Sequence, residues 1–133
     1  MSVLSWVLAA AFALANGATA PGPEQAFQVT ATQAGEGRVN LTFVIAPGTA
    51  LYRDELTVEP LQSDAGFQPA ALDVPPGVAQ AGPDGEQEVV LRGVVPAKLT
   101  GAGVGGVLRI KLRGCADAGI CYPPLVLDVP IRG

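Results

Sequence analysis

Residues 114–124 read Gly-Cys-Ala-Asp-Ala-Gly-Ile-Cys-Tyr-Pro-Pro and hold both cysteines of a 133-residue chain that contains no histidine. Five residues separate the two cysteines. Gly119 can adopt the left-handed conformation that closes a three-residue hairpin loop after a type I turn. Cys115 and Cys121 would then be cross-strand neighbours, with Cα atoms roughly 4.5–5.5 Å apart, a separation that a disulfide tolerates. The segment therefore predicts a tight β-hairpin in which a disulfide can form.

Away from this segment, hydrophobic residues recur at every second position, which is the period of a half-buried β-strand. Phe27, Val29 and Ala31 alternate with polar residues, and Val39 to Ile45 repeat the pattern after a glycine-containing turn. Further strands are predicted at 51–53, 56–58, 70–74, 88–95, 107–113 and 125–131, with Pro and Gly between them. Seven or eight short strands and no helix after residue 20 indicate an all-β fold. We expect an immunoglobulin-like antiparallel β-sandwich, with a barrel as the alternative.

The two strands that flank the hairpin have their apolar residues out of phase. The strand at 107–113 has them at even positions, whereas the strand at 125–131 has them at odd positions. For both sets of apolar residues to face the core, one strand must contain one residue more than its partner between the ladder and the hairpin. A β-bulge at Gly114 would do this and would turn both cysteines toward the core at the open end of the sheet. The alternative is that Pro123–Pro124 absorbs the slip, since proline cannot donate to the ladder.

The N-terminal segment has the composition of an export signal. An apolar run from Val3 to Leu14 is followed by small residues up to Ala20, although no Lys or Arg precedes the run. The run is shorter than the about 20 residues that a membrane-spanning helix needs. A buried N-terminal helix is the alternative. We predict a signal peptide over residues 1–20 and one domain over residues 21–133, exported to a compartment where disulfides form.

Composition argues against several classes of function. Eight basic and twelve acidic residues give a net charge of −4, and the basic residues are scattered, so we expect no nucleic-acid partner. Two cysteines without histidine cannot supply the four ligands of a structural zinc site, so no metal and no other cofactor is expected. The spacing is not Cys-x-x-Cys and lacks a βαβ context, which argues against a thioredoxin-like site.

Two functions remain for the cysteine pair. It is either a site of thiol-disulfide exchange or a structural cross-link in an exported immunoglobulin-like binding or accessory module. Closing a loop of seven residues contributes only about 2.4 kcal/mol in the chain-entropy model, so a cross-link here would stabilise the fold weakly. A short-range disulfide at a sheet end can be opened and remade without unfolding the domain, as exchange requires. The spacing alone leaves both functions open.

The segment GCADAGICYPP closely resembles the signature of the N-terminal periplasmic domains of the thiol:disulfide interchange protein DsbD, in which the two cysteines are the redox pair. Residues 40–42, 51–53 and 76–78 and the final strand follow the order and approximate spacing of that family. The resemblance implies an immunoglobulin-like sandwich that acts as a thiol-disulfide oxidoreductase, relaying electrons. It implies a membrane-embedded thiol reductase as electron donor, and a periplasmic disulfide isomerase or cytochrome c maturation thioredoxin as acceptor. We expect a monomer.

The resemblance also implies roles for individual residues. By position, Cys121 is the cysteine that forms mixed disulfides with partners, Cys115 is the resolving cysteine, and Tyr52 is an aromatic that flanks the pair. Tyr52 and Tyr122 could each instead merely cover the sheet end. The acidic loop residues are expected to be solvated charges, although a nearby carboxylate could modulate thiolate formation. The further residues predicted to flank the site are Asp117, Gly119, Tyr122 and Pro123, and the acidic loop residues are Asp84, Glu86 and Asp117.

The chain departs from the family pattern in two respects. The family has an acidic pair followed by Phe-Tyr-Gly in the loop that covers the disulfide, whereas residues 79–86 contain no aromatic residue. We therefore expect a less shielded pair, unless Tyr52 or Tyr122 lies over the sulfurs. The full-length relay continues into a membrane domain and a thioredoxin-like domain. Since this chain ends at Gly133, a separate protein is expected to donate the electrons.

Overall fold

The computed structural model describes residues 21–61, 71–82, 84–101 and 106–133, so the predicted signal peptide lies outside the described residues. The described part contains eleven β-strands, one short α-helix and one 3₁₀ turn. In chain order they are α1 (Pro23–Ala26), β1 (Phe27–Gly35), β2 (Arg38–Ile45), β3 (Thr49–Tyr52), the 3₁₀ turn (Arg53–Glu55), β4 (Thr57–Pro60), β5 (Ala71–Asp73), β6 (Val78–Ala81), β7 (Gln87–Leu91), β8 (Val94–Thr100), β9 (Val107–Leu112), β10 (Gly114–Ala116) and β11 (Leu125–Arg132).

The strands form two sheets. Seven strands lie in the order β4-β9-β11-β1-β2-β8-β5, and four lie in the order β10-β3-β7-β6. Neighbouring strands are antiparallel except β1 and β11, which pair in parallel with Ala31 opposite Ile131. The β1–β2 hairpin and the β9–β11 pair meet at this junction. The predicted immunoglobulin-like β-sandwich is confirmed, with one parallel pair inside a mainly antiparallel sheet.

The core follows the period-two pattern of the sequence. On β2, the side chains of Val39, Leu41, Phe43 and Ile45 are buried, while residues between them face outward. On β9, the even-numbered apolar residues are buried in the same way. Burying one such side chain contributes about 1.5–3 kcal/mol. The alternation that predicted the strands therefore also identified the side chains that hold the sheets together.

The strand predicted at 88–95 is wrong, because the chain crosses between the sheets there. β7 belongs to the four-stranded sheet and β8 to the seven-stranded sheet. The break between them contains Gly93, whose φ of +73° favours glycine. The sequence interpretation also missed β6, whose residues carry no buried alternation. It missed α1 as well, a single turn that begins with Pro23 at a first-turn position where proline is tolerated.

The chain changes sheets again just before the cysteines. β9 ends at Leu112 in the seven-stranded sheet, whereas Gly114 opens β10 in the four-stranded sheet, opposite Leu51. A Cβ atom on Gly114 would collide with the carbonyl oxygen of Ala50 and lie 2.5 Å from the ring of Phe27. Glycine is therefore required here by the close approach of the neighbouring strand β3 and of Phe27 from the other sheet, not by an unusual backbone angle.

The extra residue lies on the second strand of the pair, not on the first. Leu112 is opposite Leu125 in the β9–β11 ladder, whereas the N–H of Tyr122 donates to the carbonyl of Gly114 at 2.9 Å. One residue of the first strand thus faces two of the second, Pro123–Pro124. The prediction of a bulge at Gly114 is wrong, and the alternative at the two prolines is correct. Proline fits this position because neither residue has an N–H to pair.

Candidate functional site

The two cysteines form a disulfide across the predicted hairpin. Gly119 has a φ of +100°, and its N–H donates to the carbonyl of Ala116 at 3.0 Å. The N–H of Ala116 donates to the carbonyl of Ile120 at 2.7 Å, so these two residues face each other across the loop. Cys115 and Cys121 are the next pair outward, with Cα atoms 3.9 Å apart. They form the non-hydrogen-bonded kind of antiparallel pair, in which the backbones approach most, and they lie closer than the roughly 4.5 Å that is usual for such a pair.

The disulfide faces outward. Gly114 and Ala116 are buried, whereas Cys115 between them is half-buried and Cys121 is exposed. The prediction that both cysteines face the core is wrong, because it depended on a bulge at Gly114. β10 pairs instead with β3, and the position between its two buried residues points to the outer face of the four-stranded sheet. A reacting group can therefore reach the Cys121 sulfur.

Tyr52 lies beside the sulfur of Cys115. Its hydroxyl oxygen is 2.7 Å from Cys115 Sγ and 4.0 Å from Cys121 Sγ. Burial raises the pKa of the Tyr52 hydroxyl, and the negative charge of the nearby Glu88 raises it further. The hydroxyl is therefore protonated at neutral pH and has a proton to donate. The prediction that Tyr52 flanks the pair agrees with this geometry.

Asp117, in the loop between the cysteines, is held by a cation that the sequence did not reveal. The guanidinium of Arg92 donates to both carboxylate oxygens, at 3.0 and 3.1 Å, and also to Gln80 Oε1 at 3.0 Å. Hydrogen bonding to Arg92, together with its charge, holds the pKa of Asp117 below its usual value. Arg92 thus ties the cysteine loop to β6. Asp117 is exposed, yet its ion pair with Arg92 holds the cysteine loop in place, so it is not a free solvated charge as predicted.

Glu88, on β7, is a second site residue that sequence reasoning missed. It lines a surface pocket of about 270 Å³ together with Tyr52, Cys115 and Gly82. Its Oε2 atom is buried, and within the part of the chain that the structure describes no hydrogen-bond donor reaches it. No motif marks Glu88 in the sequence. Alternation along β7 could have placed it on one face with Val90, but only the strand pairing brings it to Tyr52.

The loop between β6 and β7 is short and polar. The N–H of Gly82 donates to the carbonyl of Glu86 at 2.6 Å, and the N–H of Gly85 donates to the carbonyl of Gly82 at 2.9 Å. The carboxylate of Asp84 accepts a hydrogen bond from the N–H of Glu86 at 3.1 Å, which is an ordinary turn contact. Both acidic side chains are exposed, as predicted.

Tyr122 does not cover the sulfurs. Its side chain is buried, and its ring packs edge-on against Phe27 with centroids 5.7 Å apart. Its hydroxyl donates to the carbonyl oxygen of Pro21 at 2.6 Å. Tyr122 therefore anchors the hairpin to the N-terminal segment from the core side. Pro123 follows it on the exposed connection to β11.

These observations define a class, an immunoglobulin-like β-sandwich whose single disulfide closes a surface hairpin at one end of its smaller sheet. Comparison with known proteins places the chain within that class. The family model described as thiol:disulfide interchange protein DsbD, N-terminal, matches residues 18–130. The chain belongs to this family.

Known relatives support the assignment in sequence and in structure. The chain is 38% identical over 101 residues to thiol:disulfide interchange protein DsbD 2 of Pseudomonas aeruginosa, a match covering 76% of this chain and 16% of that protein. A solved structure of the reduced DsbD N-terminal domain from Neisseria meningitidis is 25% identical, with a TM-score of 0.69 over 90% of this chain and 93% of that chain.

A second solved structure contains the DsbD N-terminal and PilB N-terminal domains from Neisseria meningitidis in complex. It is 23% identical, with a TM-score of 0.61 over 84% of this chain and 85% of that chain, and supports the fold. The chain thus spans about a sixth of the length of the curated relatives it matches. Among the described residues, no helix is long and apolar enough to cross a membrane.

Proposed function

We propose that this domain exchanges thiols and disulfides with other proteins through Cys115 and Cys121, as an oxidoreductase that relays electrons. The observation that carries the proposal is the asymmetry of the pair, an exposed Cys121 bonded to a half-buried Cys115 on the outer face of a sheet end. Membership of the DsbD N-terminal family supports it. A purely structural disulfide, the alternative, is not favoured by these relatives.

We propose different roles for the two sulfurs, which differ in their exposure. In the reduced protein, the Cys121 thiolate attacks the disulfide of an acceptor and forms a mixed disulfide, and one acceptor sulfur leaves as a thiolate. Cys115 then attacks Cys121 Sγ, the mixed disulfide breaks, and the second acceptor sulfur leaves as a thiolate. The acceptor gains two electrons, and the Cys115–Cys121 disulfide forms again. A donor dithiol reverses these steps on the oxidised domain.

The hairpin does not depend on the disulfide for its shape. The backbone hydrogen bonds from Ala116 to Ile120 and from Tyr122 to Gly114 lie on either side of the cysteine pair. The ion pair between Arg92 and Asp117 holds the loop from outside. Opening the sulfur bond therefore leaves the attacking thiol in place, which is what repeated exchange requires.

We infer partners from the same chemistry. An electron donor must present a dithiol, and we propose a membrane-embedded thiol reductase in that role. We propose a periplasmic disulfide isomerase or a cytochrome c maturation thioredoxin as the acceptor. The Neisseria complex supports a protein partner, since a DsbD N-terminal domain there binds the N-terminal domain of PilB.

We also propose that residues 1–20 are a signal peptide that directs the domain of residues 21–133 to the periplasm. Trp6 is the chain's single tryptophan and lies in that segment. Mature protein purified from the periplasm should therefore lack tryptophan fluorescence, and its intact mass should begin after the signal. Periplasmic material that retains Met1 would contradict the proposal.

A trapping experiment tests the exchange function. Cys115→Ser leaves Cys121 without a resolving thiol, so the variant should accumulate a mixed disulfide with an oxidised thioredoxin-like acceptor. Cys121→Ser is the matched control and should accumulate much less, because Cys115 is half-buried beside Tyr52. If neither variant is trapped, or both are trapped equally, the assigned roles are wrong.

A further inference from the structure

We propose that Glu88 accepts the proton of the Cys115 thiol, through the hydroxyl of Tyr52, when Cys115 resolves a mixed disulfide. The inference rests on the proposed function, because it concerns one step of that exchange. In this proposal, Tyr52 contacts a reacting sulfur directly, whereas Glu88 acts on that sulfur only through Tyr52.

The first support is the position of the Tyr52 hydroxyl. At 2.7 Å from Cys115 Sγ, the oxygen is within hydrogen-bond distance of the sulfur that must lose a proton. The same oxygen is 4.0 Å from Cys121 Sγ, so it serves the resolving sulfur in preference to the attacking one. A hydroxyl both accepts and donates, and it can take a proton from one side as it gives its own to the other.

The second support is the strand register. Tyr52 on β3 pairs with Val90 on β7, and Glu88 is two residues from Val90, hence on the same face of the sheet. A diagonal neighbour at this spacing is within reach of a long side chain. Cys115 is a diagonal neighbour of Tyr52 on the other side, since it pairs with Ala50. Tyr52 therefore stands between the carboxylate and the thiol.

The third support is the state of the Glu88 carboxylate. Its Oε2 is buried, and no donor in the described ranges bonds to it. A buried carboxylate oxygen without a donor is an acceptor that is open to an incoming hydrogen bond. The carboxylate packs against Gly82 so closely that a Cβ atom there would collide with both of its oxygens. The main chain of the β6–β7 loop thus keeps the acid in the pocket.

Other charges near the relay have partners of their own. Arg113 pairs with Glu55 at 3.6 Å, and Arg92 pairs with Asp117 at 3.0 Å on the disulfide side. Glu88 forms no ion pair within the described residues. The charged groups that face Tyr52 or Glu88 from the surrounding elements are Asp54 and Glu55 of the 3₁₀ turn, Arg113 after β9, and Arg92 with Asp117 at the cysteine loop.

The step balances as follows. Tyr52 passes its hydroxyl proton to the Glu88 carboxylate and receives the thiol proton of Cys115. The electron pair left on Cys115 Sγ forms the bond to Cys121 Sγ. The bond between Cys121 and the partner sulfur breaks, and the partner leaves as a thiolate. Glu88 later releases its proton to water, so no external oxidant or reductant is consumed.

A two-phase kinetic assay tests this route. When reduced protein reacts with an aromatic disulfide such as dithiobis(nitrobenzoate), the first coloured thiolate reports the attack by Cys121. The second reports the attack by Cys115 on the resulting mixed disulfide. We expect Glu88→Gln to slow the second phase about tenfold at neutral pH and to leave the first unchanged. The factor is near ten because a free thiol is already ionised to a few per cent there, which limits the gain from a base.

The matched control is Glu86→Gln, which removes the same charge from an exposed position two residues away. It should leave both phases unchanged. Raising the pH above the pKa of the thiol should bring Glu88→Gln and the wild type together, because Cys115 then ionises without help. A merely structural role for Glu88 would not produce this convergence.

Tyr52→Phe keeps the carboxylate but removes the bridge, and it should slow the second phase to a similar extent. It also carries the test if Glu88→Gln does not fold. Combining the two changes should add little, because both interrupt one route. The proposal is overturned if Glu88→Gln leaves the second phase unchanged, if Glu86→Gln slows it equally, or if the difference persists at high pH. If the wild type shows both kinetic phases but does not reduce any protein acceptor, the exchange function is contradicted instead.

Discussion

The hydroxyl of Tyr52 touches Cys115 Sγ at 2.7 Å and stays 4.0 Å from Cys121 Sγ, so one sulfur of the disulfide is covered and the other is open. This difference arises from strand pairing, because β10 lies beside β3 and places Cys115 diagonally across from Tyr52. The residues between β6 and β7 contribute no aromatic cover. Shielding by Tyr52 is therefore selective for the Cys115 sulfur.

Alkylation of the reduced protein should reveal this difference. At a pH above the pKa values of both thiols, where only access differs, iodoacetamide should modify Cys121 faster than Cys115. Tyr52→Ala should accelerate modification of Cys115 with little effect on Cys121. Tyr122→Phe is the control and should change neither rate, because its hydroxyl bonds to Pro21 on the core side. Peptide mass spectrometry assigns the sites, and equal rates in the wild type would contradict selective shielding.

Replacing both cysteines with serine should lower the free energy of unfolding by about 2 kcal/mol, because the disulfide closes only a short loop. The hydrogen bonds on either side of the pair remain, so the double variant should fold. Urea unfolding measures the change, and the wild type reduced with dithiothreitol provides the matched comparison. A double variant that does not fold would favour a structural disulfide.

The ion pair between Asp117 and Arg92 should make stability depend on acid pH. Because Arg92 lowers the folded-state pKa of Asp117, the pair contributes stability above the usual carboxyl pKa. That contribution is lost as the pH falls through the lowered value. The difference in unfolding free energy between the wild type and Asp117→Asn should therefore be present at neutral pH and shrink in acid. Asp73→Asn, an exposed change of the same kind on β5, is the matched control. A difference that is constant with pH would contradict this role.

Gly114→Ala should destabilise the domain by about 1–3 kcal/mol, the usual effect of overpacking. The added methyl would collide with the backbone oxygen of Ala50 and with Phe27, and a backbone oxygen cannot turn aside as a flexible side chain can. Gly133→Ala adds the same methyl where nothing lies within 4 Å and should be neutral. Thermal unfolding compares the two. An unchanged midpoint in Gly114→Ala would show that β3 and Phe27 move away from the added methyl at little cost.

The sequence predicted those features that depend on neighbouring residues. The period-two alternation identified the buried residues of β2 and β9, and the spacing of Cys115 and Cys121 predicted both the hairpin and its disulfide. Glycine at position 119 predicted the left-handed turn residue. Such features are encoded within a few residues of chain, which is why a single sequence suffices to recognise them.

Features that depend on which sheet a strand joins could not be predicted in the same way. The crossings at Gly93 and Gly114 interrupt the alternation of apolar residues without a change in composition. The prediction that the cysteine side chains face the core was therefore wrong. Glu88 reaches the site from β7, and Arg92 reaches it from the turn that follows β7. Both are more than twenty residues away in sequence from Cys115 and Asp117. Neither has a motif, and their roles appear only when β3, β7 and β10 are paired.

The reduction potential of the Cys115–Cys121 pair, measured in glutathione buffers of known ratio, tests the exchange function most directly. A pair that relays electrons must be both reduced and oxidised by other thiol proteins. We therefore predict a potential between about −270 and −180 mV, the range of thioredoxin and protein disulfide isomerase. A potential well below about −300 mV, as structural disulfides have, would contradict the account.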